Sequence, residues 1–311
     1  MYYIPGLTMT RSLLFLLVVL AIGFSSCNSC KENKKLSKEF DIPDSLKEDN
    51  PIPISSAVID NMIGNIASPI ETAAVIKGLN IGFNKDLIAK TDYADNFNTN
   101  FHKALGLGMY GCDLGYLNMY GKTSLVIDYI STIRNLADGI QVGQFFDFST
   151  LKRLATNNEN IDSLVLISQQ SMTRIDTYLR ENNRSNLSIV IVAGVWIEGL
   201  YITSMVSQES GHKRMREAVG EQKEIINLLM PLLNHYKKDP NMAKLIKDFE
   251  GIKVLYHEVK ITSEVGEPTA VEENGVLTIK SNDIQTIDIS DETLAKIIDK
   301  VKEIGLKLLK G

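Results

Sequence analysis

The sequence predicts an all-α protein: a multi-helix bundle of eight to ten helices, with a small β-hairpin just before the C-terminal helix. Three observations carry that reading. Apolar residues recur at spacings of three and four from about residue 55 to 256, the period of helices with a buried face. The stretch 259–280 switches to alternation, with Asn274-Gly275 between TAVEE and VLTIK. That is a strong hairpin signal, because both turn residues tolerate positive φ. No self-similar period of 20–50 residues is found, so a solenoid is not supported.

The elements follow in order. Ser55 or Ser56 can cap a helix to Ala67, and Ser68-Pro69 breaks it or starts a second one with proline in first position. Phe97, Phe101, Leu105, Gly108, Cys112, Tyr116 and Met119 form one stripe. Leu107, Tyr110, Leu114 and Leu117 form a second on the same helix, which is therefore expected to be buried on two faces. Val126 to Ile140 marks the next helix, ending near Gly143. Ser149 is expected to cap a short helix to Ala155, and Asn160 a longer one that ends at the polar run 181–185. Leu187 to Val206 is apolar nearly all round. Its length suits a membrane span, but Glu198 at its midpoint favours a central core helix. Met215 to Tyr236 carries a further helix with Pro231 as an expected kink, and 241–256 another. Ser290-Asp291-Glu292 starts the last helix, with a capping serine and acids at the positive end of the dipole.

The N-terminal segment points to export. Leu13 to Phe24 is a 12-residue apolar run preceded by Arg11 and followed by Ser25, Ser26 and Cys27. It is too short to span a bilayer, which takes about 20 residues, and Met9 can serve as the start. The run resembles the lipobox of bacterial lipoproteins, with Phe24 where leucine is usual. Residues 1–26 are thus expected to be a signal peptide, Cys27 the lipidated residue, 27–53 a charged tether and 54–311 the folded domain. The tether holds 11 charged residues of both signs over 31–50 and has too little apolar surface to fold alone. Lipid chains would hold the protein at a membrane. Asn28 rather than Asp after Cys27 suggests the outer membrane, under the enterobacterial sorting habit.

Composition limits the partners. Without residues 1–26 the 33 basic residues lose only Arg11 and the 38 acidic ones none, leaving a formal charge of −6. No basic stripe with interleaved aromatics is present, which argues against nucleic acid. Cys30 and Cys112 could pair in an oxidising compartment; the apolar helical setting of Cys112 favours a buried thiol.

Few residues point to chemistry. YGKTS at 120–124 lacks the glycine spacing of a phosphate loop and no strand precedes it, so it reads as a turn at Gly121. His102, His212, His235 and His257 show no metal spacing, and no serine elbow occurs, so no metal or cofactor is expected. The cluster His212 to Arg216 reads as a solvated helix start, or else a contact for lipid headgroups or wall acids. Glycines 106, 108, 111, 115 and 121 are unusual in a helical segment, since each costs up to ~1 kcal/mol against alanine. Close helix packing is one reason for them; room for a ligand is the other. Asp113 lies among them with Tyr110 on its face, and Glu198 lies beside Trp196 and one turn before Tyr201. These five residues are the candidate ligand-binding set. Their carboxylates could share a site as acid and base, or each could be buried against an arginine such as Arg134, Arg153 or Arg174.

The stretches MYGCDLGYLNMYG (109–121), NIDSL (160–164), GVWIEGLY (194–201) and ISDETLAKIIDKV (289–301) resemble those of a group of helical lipoproteins of the Bacteroidota with no assigned activity. The resemblance implies an envelope location and a helical fold, and carries over no catalytic residues. The expected function is a non-catalytic envelope module that docks a protein or wall polymer. The alternative is a carrier of a small or lipidic ligand near the helix 105–121, and an enzyme using Asp113 and Glu198 comes last.

Overall fold

Pro69 opens the first described helix, α1 (Pro69–Gly78), in the first-turn position where its missing N–H costs nothing. The computed structural model describes residues 54–55, 57–58, 69–157, 161–264, 266, 269–273, 276–280 and 284–310. The expected signal peptide, Cys27, Cys30 and the tether to residue 53 lie outside them, as do most of the helix expected before Ala67, Asn160, and the Asn274-Gly275 turn. After α1 the chain makes two 3-10 turns, Lys85–Leu87 and Thr91–Asn96.

Eight more α-helices follow among the described residues: α2 (Asn100–Met119), α3 (Thr123–Gly139), α4 (Phe148–Asn157), α5 (Ile161–Glu181), α6 (Ser185–Ser210), α7 (Lys213–His235), α8 (Pro240–Leu255) and α9 (Asp291–Leu308). Nine helices match the expected bundle. Thr99 starts α2 by accepting the His102 amide at 3.1 Å, so Phe97 packs just before the helix rather than within it. Asp147, not Ser149, caps α4: its Oδ1 accepts the Thr150 amide at 3.0 Å and the Ser149 hydroxyl at 2.7 Å. Ser149 is already inside the helix, whereas a cap must precede it. Those bonds hold the Asp147 carboxylate below its usual range. His212 caps α7 by accepting the Arg214 amide at 3.2 Å, and Pro231 stays within that helix. Ser290 caps α9 by accepting the Thr293 amide at 3.1 Å, as the sequence predicts.

Between α8 and α9 lie four short strands: β1 (Lys260–Glu264), β2 (Thr269–Glu273), β3 (Val276–Lys280) and β4 (Ile284–Asp288). β2 and β3 form the expected antiparallel hairpin, with Glu273 opposite Val276. β1 pairs with β4, Lys260 opposite Asp288; the sequence reading had no strand at 284–288. Ile287 of β4 packs on Gly220 of α7, where any Cβ would collide with it.

The centre of the bundle is the crossing of α2 and α6. A Cβ on Gly108 would meet the Ile191 carbonyl, and one on Gly194 the Leu105 carbonyl. The two glycines therefore let the backbones touch, which is the packing reason for glycine in these helices. One turn on, Cys112 lies against Gly199, so α2 and α6 advance in the same direction. By length and hydropathy α6 could cross a membrane, yet 83% of its most apolar window is buried within the protein. Both stripes of α2 are buried, as expected for a helix packed on two faces. The Cys112 thiol is free and buried, and burial pushes its pKa up. Gly121, with φ 63°, makes the turn between α2 and α3, and Lys122 lies over the Phe83 ring.

A carboxyl pair beneath a cleft: the candidate functional site

The parallel crossing of α2 and α6 carries Asp113 and Glu198 to the same level. Both are buried, at 0% and 2% exposure. Asp113 Oδ2 accepts the Ala89 amide at 3.1 Å. Asp113 Oδ1 meets no N–H or O–H among the described residues. The polar neighbour of Asp113 on α6 is Glu198, and the two side chains are hydrogen-bonded to each other.

Two carboxyls in contact stay together only by sharing a proton, because like charges at that range cannot both ionise. Burial pushes both pKa values up. The negative charge of Glu198 raises that of Asp113 further. The bond raises Asp113 and lowers Glu198, which burial still leaves at about 8, so Asp113 is the firmer holder of the proton and the hydrogen-bond donor to Glu198. Two of the arginines expected as partners are engaged elsewhere. Arg134 lies over the Phe148 ring, and Arg174 donates to the Gln170 carbonyl at 3.3 Å.

The segment 88–90 is pinned over this pair. Besides the Ala89 amide on Asp113, the Tyr129 hydroxyl donates to the Ala89 carbonyl at 2.5 Å and the Tyr110 hydroxyl to the Lys90 carbonyl at 2.7 Å. Tyr110 and Tyr129 meet edge to face, their centroids 5.9 Å apart. Burial, with the nearby acids, holds both phenols protonated far above their usual range. Ala89 thus has both backbone groups satisfied by side chains, as buried backbone requires.

Outside this layer is a cavity of about 490 Å³. Its floor includes Glu198, and Tyr129 and Tyr201 line its walls. The strap from Lys85 to Tyr93 forms one side, and Gly305, Leu306 and Leu309 at the end of α9 another. Asp113 lies beneath the floor, fully buried.

No protein-family model, curated protein or solved structure matches this chain.

The five candidate residues therefore divide. Asp113 and Glu198 meet; Glu198 and Tyr201, one turn apart, face the cavity together. Tyr110 packs beside the pair, inside the core, with its hydroxyl used by Lys90. Trp196 looks the other way, its Nε1 donating to Gln222 at 3.1 Å and its ring against Phe249. Residues two apart on a helix do not share a face. The sequence reading missed Tyr129, the 85–93 strap and the end of α9. A phenol in a core stripe was the available signal, because a buried hydroxyl needs a partner. Among the described residues no group of three or more His, Cys, Asp or Glu could hold a metal ion. The basic cluster at 213–216 is used within the protein: Lys213 pairs with Glu217, Arg214 with Glu221 at 2.7 Å, and Arg216 with Asp291 and the Ile289 carbonyl.

Proposed function

We propose that this protein is a lipid-anchored binding module of the cell envelope that holds a small polar ligand in the cleft above Glu198. The observation that carries the reading is a cavity of about 490 Å³ with a nearly buried acid at its floor. That volume lies in the range of small-molecule sites, which combine apolar walls with a few placed polar groups. Envelope location and the anchor rest on the run Leu13 to Cys27, the charged tether and the resemblance to helical Bacteroidota lipoproteins. Docking of a protein or wall polymer is the second reading. The exposed large apolar side chains Ile127, Leu166, Leu228, Val254 and Leu306 stand on five different helices, and none of them favours a macromolecular partner over a small ligand.

The carboxyl pair does not fit glycosidase-type catalysis. Glycosidase-type acid–base work needs two separate carboxyls flanking a bond, about 5–9.5 Å apart. Here one acid is sealed beneath the other. A screen of small polar compounds by thermal shift tests the reading. Expected is a saturable rise in Tm that is lost in Leu306→Trp, which fills the cleft mouth from a residue 46% exposed. A hit unaffected by L306W would place binding elsewhere. For the anchor, Cys27→Ser is expected to abolish incorporation of radiolabelled palmitate and release the protein from the membrane fraction. Unchanged labelling would refute lipidation at Cys27.

A further inference from the structure

We propose that the cleft recognises an organic cation of the primary ammonium class, with Glu198 as the carboxylate that receives it. The inference rests on reading the cleft as a ligand site and names what that site would take. Glu198 is 2% exposed and lines the cavity, and its polar partner is another acid. Buried acids are ordinarily paired with a cation or with several donors. This one has neither among the described residues. The floor therefore presents, at Glu198, acceptor capacity that a ligand rich in donors would satisfy.

The rest of the lining is net acidic. Asp86, Asp92 and Asp128 line the cavity with Glu198, against Lys85 and Lys90, and all five of these outer groups are exposed. Gly305 and Leu309 bring the C-terminal end of α9 to the cleft, the end of a helix that stabilises positive charge. Tyrosine walls suit an ammonium group through their ring faces. A carboxylate or phosphate ligand would instead meet four acids against two exposed lysines, and a negative helix end.

The test is calorimetric titration of the full chain with straight-chain and benzylic primary amines, and with alcohols and carboxylates of matching size. Amines are expected to bind at least about tenfold more tightly than the alcohols, the worth of one charge-assisted hydrogen bond, and carboxylates not at all. Glu198→Gln is expected to remove that preference, so that amines bind no more tightly than the alcohols. Asp113→Asn is the second variant. Its amide can accept from Ala89 and donate to Glu198, so the fold and the amine preference are expected to survive. Alcohols binding as well as amines, with no effect of E198Q, would overturn the cation assignment and leave the ligand-binding reading standing. Glu198-dependent binding of magnesium or calcium chloride in place of the amines would overturn the ammonium class. If no compound of any series binds, both readings fall.

Discussion

At the scale of single residues, the chain places an acid where the physics of burial opposes a charge and then supplies a second acid as its partner. Asp113→Ala would strand the Ala89 amide and remove the donor to Glu198. An unsatisfied buried donor costs about 1–3 kcal/mol, so D113A is expected to lower Tm clearly while D113N changes it little. Equal losses in urea melts of the two variants would refute the hydrogen-bonding role given to Asp113. The pair also sets a sign for pH. Both folded-state pKa values are raised by burial, so the folded protein binds more protons than the unfolded chain above the ordinary carboxylate range. Stability from this source is full below that range and is lost as pH rises through the raised values. Tm is expected to fall from mildly acid to alkaline pH, and the slope to be shallower in D113N. A wild-type Tm that rises over that interval would contradict the protonated pair.

At the scale of elements, the α2–α6 crossing sets the site. Gly108 and Gly194 allow backbone contact, and the parallel run of the two helices then brings Asp113 level with Glu198. A methyl group at either glycine meets a backbone carbonyl, which cannot rotate away. Overpacking of this kind costs about 1–3 kcal/mol or more, so Gly108→Ala should be strongly destabilising. Gly111, where an added Cβ meets nothing within 4 Å, is the internal control. Its replacement by alanine is expected to be neutral or stabilising, since alanine is the better helix former by ~1 kcal/mol. Denaturation midpoints of G108A and G111A that match would remove the packing explanation. The caps belong to this scale too. Ser290 was readable because its acids follow it directly, whereas Asp147 lay hidden beside a serine of equal capping preference.

At the scale of the whole molecule, protection should follow burial. α2 and α6 are buried almost throughout, while β1 is mostly exposed. Amide hydrogen exchange is therefore expected to be slowest in α2 and α6 and fastest in 260–264. A protected β1 with a fast-exchanging α6 would mean that the bundle centre is not the stability core. Ligand bound in the cleft would slow exchange across the 85–93 strap, which is tied to α2 and α3 by the Tyr110, Asp113 and Tyr129 bonds.

The sequence by itself determined the helices, the hairpin at 269–280 and the central place of α2 and α6, because apolar spacing and turn chemistry are local properties written into neighbouring residues. It also singled out Asp113 and Glu198, since an acid in an apolar stripe stands out without any structure. Only the tertiary structure decided that the two meet, 85 residues apart in sequence, and that Trp196 does not join them. It alone brought Tyr129, the Ala89 amide and the end of α9 to the same place. Those residues look like ordinary core or loop in sequence. What they do depends on helix crossing and facing across the fold, and the spacing along one chain carries no record of that.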